Sequence, residues 1–422
     1  MKKLIRLSSL LIIQAAFVSL PLFGIGDLHF YRAQSIFTEP RFEKEWLASF
    51  DVTAGGGRTK HARDCFGHKT SLLNIYGLHA MQPLGNGVPK DPNSVTDIIL
   101  TNLAQIPATN NFGKLLFTGS FSFQEFNLSY IQNFAYGFFA GAELPIKRLK
   151  LSDIDFRDCT QTACCPNNSI PQWQDFLDSF DRILQAHSLY ICPVKKTGVG
   201  DLIVYTGWTV NYQGTEIIDF IDGTLKLGVN IPTSSTKSES SIFDIPLGYD
   251  KHAGIITTFD SSFGAYDWLT MGGHIEALIF FSKQKDLHMK TDLRQNGFIK
   301  LAQGAANVHK GPIWRLGVYS RADHVVRGFS CTLAYSYTRA NPDKVIPCDT
   351  KLFDAAIVNS DEEFQGWNMH TLHFTAEYDF TTECMRVGPR LGIFYNVQVG
   401  GQRTFDADLG GAMFGVDVSI CF

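Results

Sequence analysis

The chain ends on Gly410–Phe422, GGAMFGVDVSICF. Read back from the end, Phe422, Ile420, Val418, Val416, Phe414 and Ala412 make one face, and Cys421, Ser419, Asp417, Gly415 and Met413 make the other. That is a period of two, the alternation of a strand with one apolar and one polar face. The apolar face continues to the final residue, which is unusual for a strand in a soluble sandwich. This stretch alone leaves the soluble sandwich open, and the rest of the chain has to decide.

The N-terminus reads as a signal peptide over residues 1–26. Lys2, Lys3 and Arg6 form a positive start, Leu7 to Phe23 is apolar, and Gly24-Ile25-Gly26 offers small residues for cleavage before Asp27. No cysteine lies near that point, which argues against a lipoprotein anchor. After it, no uncharged apolar run is long enough for a transmembrane helix. Yet 34 Phe and 37 Gly accompany a mean hydropathy of only −0.02. A membrane barrel reconciles these facts. Its lumen face is polar, its lipid face apolar, and its rims carry aromatics. A formal charge of −4 gives no support to nucleic-acid binding.

Period-two stretches recur along residues 27–422. They predict strands at about 46–55, 114–131, 134–149, 199–212, 216–230, 268–281, 286–293, 312–321, 326–340, 368–381, 387–398 and 410–422. The alternation slips near Glu125, which predicts a β-bulge there. Long segments at about 58–113, 150–197, 231–267, 295–310, 341–366 and 401–409 alternate with short turns. In an up-and-down barrel this rhythm sends every long loop to one rim and every short turn to the other. The second long loop carries an amphipathic helix, with Trp173, Phe176, Leu177, Phe180, Ile183 and Leu184 at helical spacing.

The fold expected is therefore all-β, an antiparallel up-and-down transmembrane barrel of about twelve strands with long outer loops and one loop helix. Open edges cannot sit in lipid, so the sheet must close. Taken together, the terminal strand, the rhythm of connections and the even strand number resemble bacterial outer-membrane, porin-like barrels. The resemblance covers nearly all of the mature chain through general features, and it singles out no one family. It implies the outer membrane of a Gram-negative-type bacterium, contact with its lipid, and recognition of Phe422 by the barrel-assembly machinery.

The residues expected to line the lumen are Asp51, Glu143, Lys147, Asp222, Lys226, Glu276, Lys290, Arg315, His373, Glu377, Asp379, Arg390 and Asp417. Both signs of charge suit a water-filled wall, and they equally suit ion pairs that plug it. His373, Glu377 and Asp379 share one strand face and are read as polar wall rather than as a metal site, a pH sensor or a base. No G-x-S-x-G elbow and no defensible Ser–His pair is found, so neither an enzyme nor a cofactor is expected. Nine cysteines leave at least one unpaired within the chain. Cys159, Cys164, Cys165 and Cys192 lack zinc-finger spacing and are expected to clamp the loop helix with disulfides, one involving Cys192. Cys384 and Cys421 form a second candidate pair. The function expected is passive passage of small hydrophilic solutes, by a monomer or a homo-oligomer. The alternative is a closed barrel acting through its outer loops as an adhesion or structural protein.

Overall fold

The computed structural model describes residues 27–35, 46–106, 112–160, 171–213, 218–266, 268–381 and 387–419. Twelve long strands close into one antiparallel barrel. They are β1 (Leu47–Thr59), β2 (Lys114–Asn133), β3 (Phe138–Asp158), β4 (Leu202–Gln213), β5 (Ile218–Ile231) and β6 (Gly254–Ala265), then β7 (Leu269–Phe280), β8 (Ile313–Val326), β9 (Phe329–Ala340), β10 (Asn368–Asp379), β11 (Val387–Gln402) and β12 (Leu409–Ser419). Each pairs with its neighbours in sequence, and β1 pairs with β12 to close the ring.

The outer wall is what lipid requires. Phe50, Leu225, Leu227, Phe259, Ile275, Leu333, Ile393 and Phe414 stand exposed along the strands. Near the short turns these give way to exposed Tyr136, Trp208, Tyr212, Tyr266, Trp268 and Tyr378, the aromatic girdle of a membrane–water interface. On β3 the outward residues stay apolar from Phe138 to Ile146. At about 3.3 Å per residue and a tilt near 40°, this run spans about 20 Å, most of the roughly 25 Å apolar band of such barrels.

The closing seam is made of bare backbone. Gly55 faces Gly411 and Gly56 faces Gly410 across β1 and β12. A Cβ on Gly411 would lie 2.1 Å from the Ala54 carbonyl oxygen, so the two strands meet more closely than side chains allow.

The long connections fold together as a crown over the outer rim. It contains α1 (Val95–Ala104), α2 (Pro171–Asp178), α3 (Phe180–Ala186) and α4 (Ala355–Val358), with two small sheets. Leu72, Leu100, Phe176, Ile183, Phe243 and Ile299 belong to its apolar core, which reaches down to Phe117 and Phe121 on β2. The expected amphipathic helix is thus two short helices broken at Ser179, and it buries Trp173, Phe176, Phe180, Ile183 and Leu184.

Three expectations need correction. Residues 254–265, read as loop, form barrel strand β6. Thr257 and Ser261 on its outer face and Ile256 on its inner one blur the alternation. Residues 286–293, read as a barrel strand, belong to the crown. Lys283–His288 pairs there with Gln303–His309, and Leu287 and Met289 enter a second apolar core with Phe353. The two errors cancel in the strand count, because a period of two cannot tell a lipid face from a crown core. Nor is there a bulge at Glu125, which pairs in unbroken register with Gly55 and Lys147. The alternation slips because the inward face itself changes. Phe121 and Phe123 point into the crown core, whereas Glu125, Asn127 and Ser129 point into the barrel.

Candidate functional site

Of the thirteen residues expected in the lumen wall, all but Lys290 lie on the inward faces of barrel strands. They are buried, apart from half-buried Asp379. Lys290 is buried in the crown instead, beside the misread strand.

The inward charges sort into clusters. Near the periplasmic rim Arg390 is ringed by acids. Its Nη2 lies 2.8 Å from Asp51 Oδ1, its Nε 3.1 Å from Asp417 Oδ2, and its Nη1 3.6 Å from Glu377 Oε1. Nη2 also donates to Ser49 Oγ at 3.0 Å. Arg321 pairs with Asp323 at the same end, and Asn211 donates to Asp222. Midway up, Arg315 pairs with Glu276, and Lys226 sits over the Tyr205 ring at 5.1 Å. Opposite charges bound this tightly explain how so many can be buried at all.

The upper half of the lumen is occupied by a segment that sequence reading left unassigned, Asp27–Ser35. It is not part of the wall, yet Leu28, Tyr31, Arg32, Ala33 and Gln34 are almost wholly buried. Arg32 Nε lies 2.7 Å from Glu125 Oε2 on β2, and Asp27 pairs with Lys147 on β3 and with Arg32. The Leu28 amide donates to the Tyr249 hydroxyl at 2.7 Å, Ala33 donates to the Ala407 carbonyl at 2.7 Å, and Arg315 donates to the Ser35 carbonyl at 3.0 Å. His29 stacks between Tyr31 and Tyr249. Burial opposes ionisation of Asp27, but Lys147, Arg32 and His29 still hold its carboxyl well below the usual range. Burial, reinforced by Lys147, lowers His29 to about 4, so its ring is neutral near pH 7. Charge and aromatics crowd together in DLHFYRAQS without a helix or strand period, so the sequence does not place it.

Above this segment lies a cavity of about 200 Å³. Phe30 and Phe405 contribute to its lining with Phe243, Phe298 and Trp367. Its charges are paired, as Lys237 with Glu363 and Lys285 with Asp250. Burial would raise Asp250, but the Lys285 ammonium outweighs it and brings the carboxyl to about 2.

The structure also brings together a Ser–His pair that sequence reading did not find. Ser336 on β9 lies 2.8 Å from His373 Nε2 on β10, and His373 Nδ1 lies 3.0 Å from Asn396 Oδ1 on β11. The neighbouring backbone is committed to strand pairing on both sides, so no amide is spare to stabilise an oxyanion. The trio therefore behaves as a polar relay within the wall. Among the described residues, no group of three or more His, Cys, Asp or Glu could hold a metal ion.

Cys192 is an exposed thiol 3.9 Å from the Ser241 hydroxyl, so the bridge expected for it is not made in this structure. The helical pair needs no such clamp, because the rest of the crown supplies its core. Cys164, Cys165, Cys384, Cys421 and Phe422 lie outside the described residues.

No protein-family model matches the chain, and no curated protein matches it in sequence. Among solved structures it is similar to the COG4313 outer membrane channel from Pseudomonas putida F1, at 10% identity and a TM-score of 0.46 over 89% of this chain and 94% of that one. It is also similar to the translocator domain of the autotransporter NalP from Neisseria meningitidis, at 9% identity and a TM-score of 0.33 over 89% of each chain. A third is the Pseudomonas putida toluene transporter TodX, at 10% identity and a TM-score of 0.29 over 89% of each chain. The membrane placement rests on this chain's own wall. A closed barrel with an apolar band, an aromatic girdle, short turns at one rim and long loops at the other is an outer-membrane β-barrel.

Proposed function

We propose that the protein is an outer-membrane channel for small hydrophilic solutes, and that residues 27–35 hold it shut in the state described above. One observation carries this reading: buried charged and polar side chains line much of the wall, beside an apolar cluster around Ile131, Phe139, Ile203 and Leu278, while its upper half is filled by a short segment outside the wall. A barrel needed only as a support has no use for such a wall. Apolar packing of the same volume is commonly as stable as buried ion pairs, or more so. The polar groups suit a path for hydrated solutes once the segment withdraws.

Conductance of the refolded protein in a planar bilayer tests this. The full chain is expected to give rare, small unitary steps, and a variant lacking residues 27–35 frequent, larger ones. Equal conductance in both forms would remove the segment as the gate. Folded, heat-modifiable barrels that give no steps in either form would discard the channel. The second reading would then stand, a closed barrel that presents its crown to another surface. The apolar core shared by the outer loops supports it.

A further inference from the structure

The lipid-facing surface of β1, β2 and β3 ends in an unusual way. The register sets its outward residues in rows. Ala54, Phe126 and Ile146 form the last apolar row on these strands, and the short strand Val194–Val199 adds Val199. The next row reads Gly56, Gln124, Arg148 and Thr197. The one above reads Arg58, Ser122, Lys150 and Lys195. Four cations thus stand within two rows of the hydrocarbon edge. With strands about 4.8 Å apart, Arg58 and Lys150 are about 10 Å from each other.

All four are exposed. Among the described residues, none of the four forms an ion pair or a side-chain hydrogen bond. Arg390, Lys285 and Lys300, by contrast, are each matched with acids. Arg58, Arg148 and Lys150 also border one shallow cleft, where Gly56 brings no side chain to the outward face. The nearest acids along β3, Asp153 and Asp155, lie further from the membrane and accept hydrogen bonds from Ser152 and from the Phe156 amide.

We infer that this patch binds the phosphate groups of a phosphorylated glycolipid in the outer leaflet. The height matches the headgroup level, the charge is complementary, and the apolar rows beneath receive the acyl chains. Guanidinium groups at Arg58 and Arg148 supply forked donors for phosphate oxygens, and Lys150 and Lys195 add point charges. The inference is independent of whether the lumen conducts.

The test uses the full chain in phosphatidylcholine nanodiscs, titrated with bis-phosphorylated lipid A and read by native mass spectrometry. The wild type is expected to retain lipid A, and the Arg58→Ala, Arg148→Ala, Lys150→Ala, Lys195→Ala variant to bind it up to about a thousandfold more weakly, from the usual contribution of each cation at an anionic surface. Dephosphorylated lipid should bind the wild type no better than lipid A binds that variant. Millimolar inorganic phosphate should not displace the lipid. Equal retention by the variant, or indifference to the phosphates, overturns the inference. Displacement by inorganic phosphate overturns the lipid source and assigns the cleft to a free anion. Should the fourfold variant fail to fold, Arg148→Glu alone must show weakened binding, and unchanged binding there equally overturns the inference.

Discussion

The inward face of β2 passes through two chemistries within a few residues. Phe121 and Phe123 point into an apolar crown core, whereas Glu125, Asn127 and Ser129 point into a charged lumen. The outward face does the reverse. Phe126, Leu128 and Tyr130 meet lipid, and Gln124 and Ser122 stand above it. The switch on both faces falls at the same level, which is the outer edge of the hydrocarbon. Below it, lipid takes the outward apolar side chains, and the interior holds charges beside a smaller apolar cluster around Ile131, Phe139 and Tyr205. Above it, water takes the polar ones and the interior becomes an ordinary core. One strand thus records where its solvent changes.

The sharpest way to break this contrast is to unbalance the lumen. Arg390→Met leaves Asp51, Glu377 and Asp417 facing each other without their cation. Loss of one partner in a buried ion network costs about 3–5 kcal/mol. Urea unfolding in lipid vesicles should show that loss, and a change below about 1 kcal/mol would mean that water, not Arg390, screens these acids. The crown counterpart is Phe121→Ala, which removes a fully buried ring lying 5.8 Å from Tyr31 and 5.1 Å from Phe405. A cost of about 3 kcal/mol is expected. It should appear as protease cleavage in the crown while the barrel keeps its heat-modifiable mobility. Cleavage no faster than in the wild type would contradict the packing described here.

Acid should separate the two regions in order. His29 has a folded-state pKa of about 4 against an ordinary 6.5. The stability it gives by staying neutral is complete above pH 6.5 and is lost as the pH falls toward 4. Asp250 in the crown sits at about 2 against 3.8, so its share is lost later, between those values. Hydrogen exchange followed from pH 7 to 2 should show residues 27–35 loosening before the Asp250–Lys285 contact does. The reverse order would refute the assignment. The smallest effect expected is a gain. His79 is buried among Phe117, Phe243 and Phe298 with neither ring nitrogen hydrogen-bonded. His79→Leu should stabilise the crown by about 1 kcal/mol, the usual penalty of an unsatisfied buried polar group, and slower exchange around Phe117 would report it.

Much of the barrel was legible because lipid enforces a period of two over many residues, as in Phe138–Ile146 and Leu372–Phe380. Twelve of the thirteen predicted lumen residues follow from that single rule. Lys290 failed because Leu287 and Met289 alternate for a different core. The Ser336–His373–Asn396 relay was illegible, since it depends on the register of three strands, which no single strand encodes. Asp27–Ser35 was illegible for another reason: it has no periodicity and takes its order from partners hundreds of residues away, such as Tyr249 and Ala407.

The glycine seam has a consequence for timing. Leu47 meets Ser419 there, which makes this contact about as distant in sequence as the chain allows. A search over so long a loop is slow, although the entropy it costs grows only with the logarithm of its length. This long-range encounter falls on unencumbered backbone, where two strands can register without first sorting their side chains. Gly55, Gly56, Gly410 and Gly411 are in this sense a latch, and their contribution lies in how fast the barrel closes more than in how firmly it stays closed.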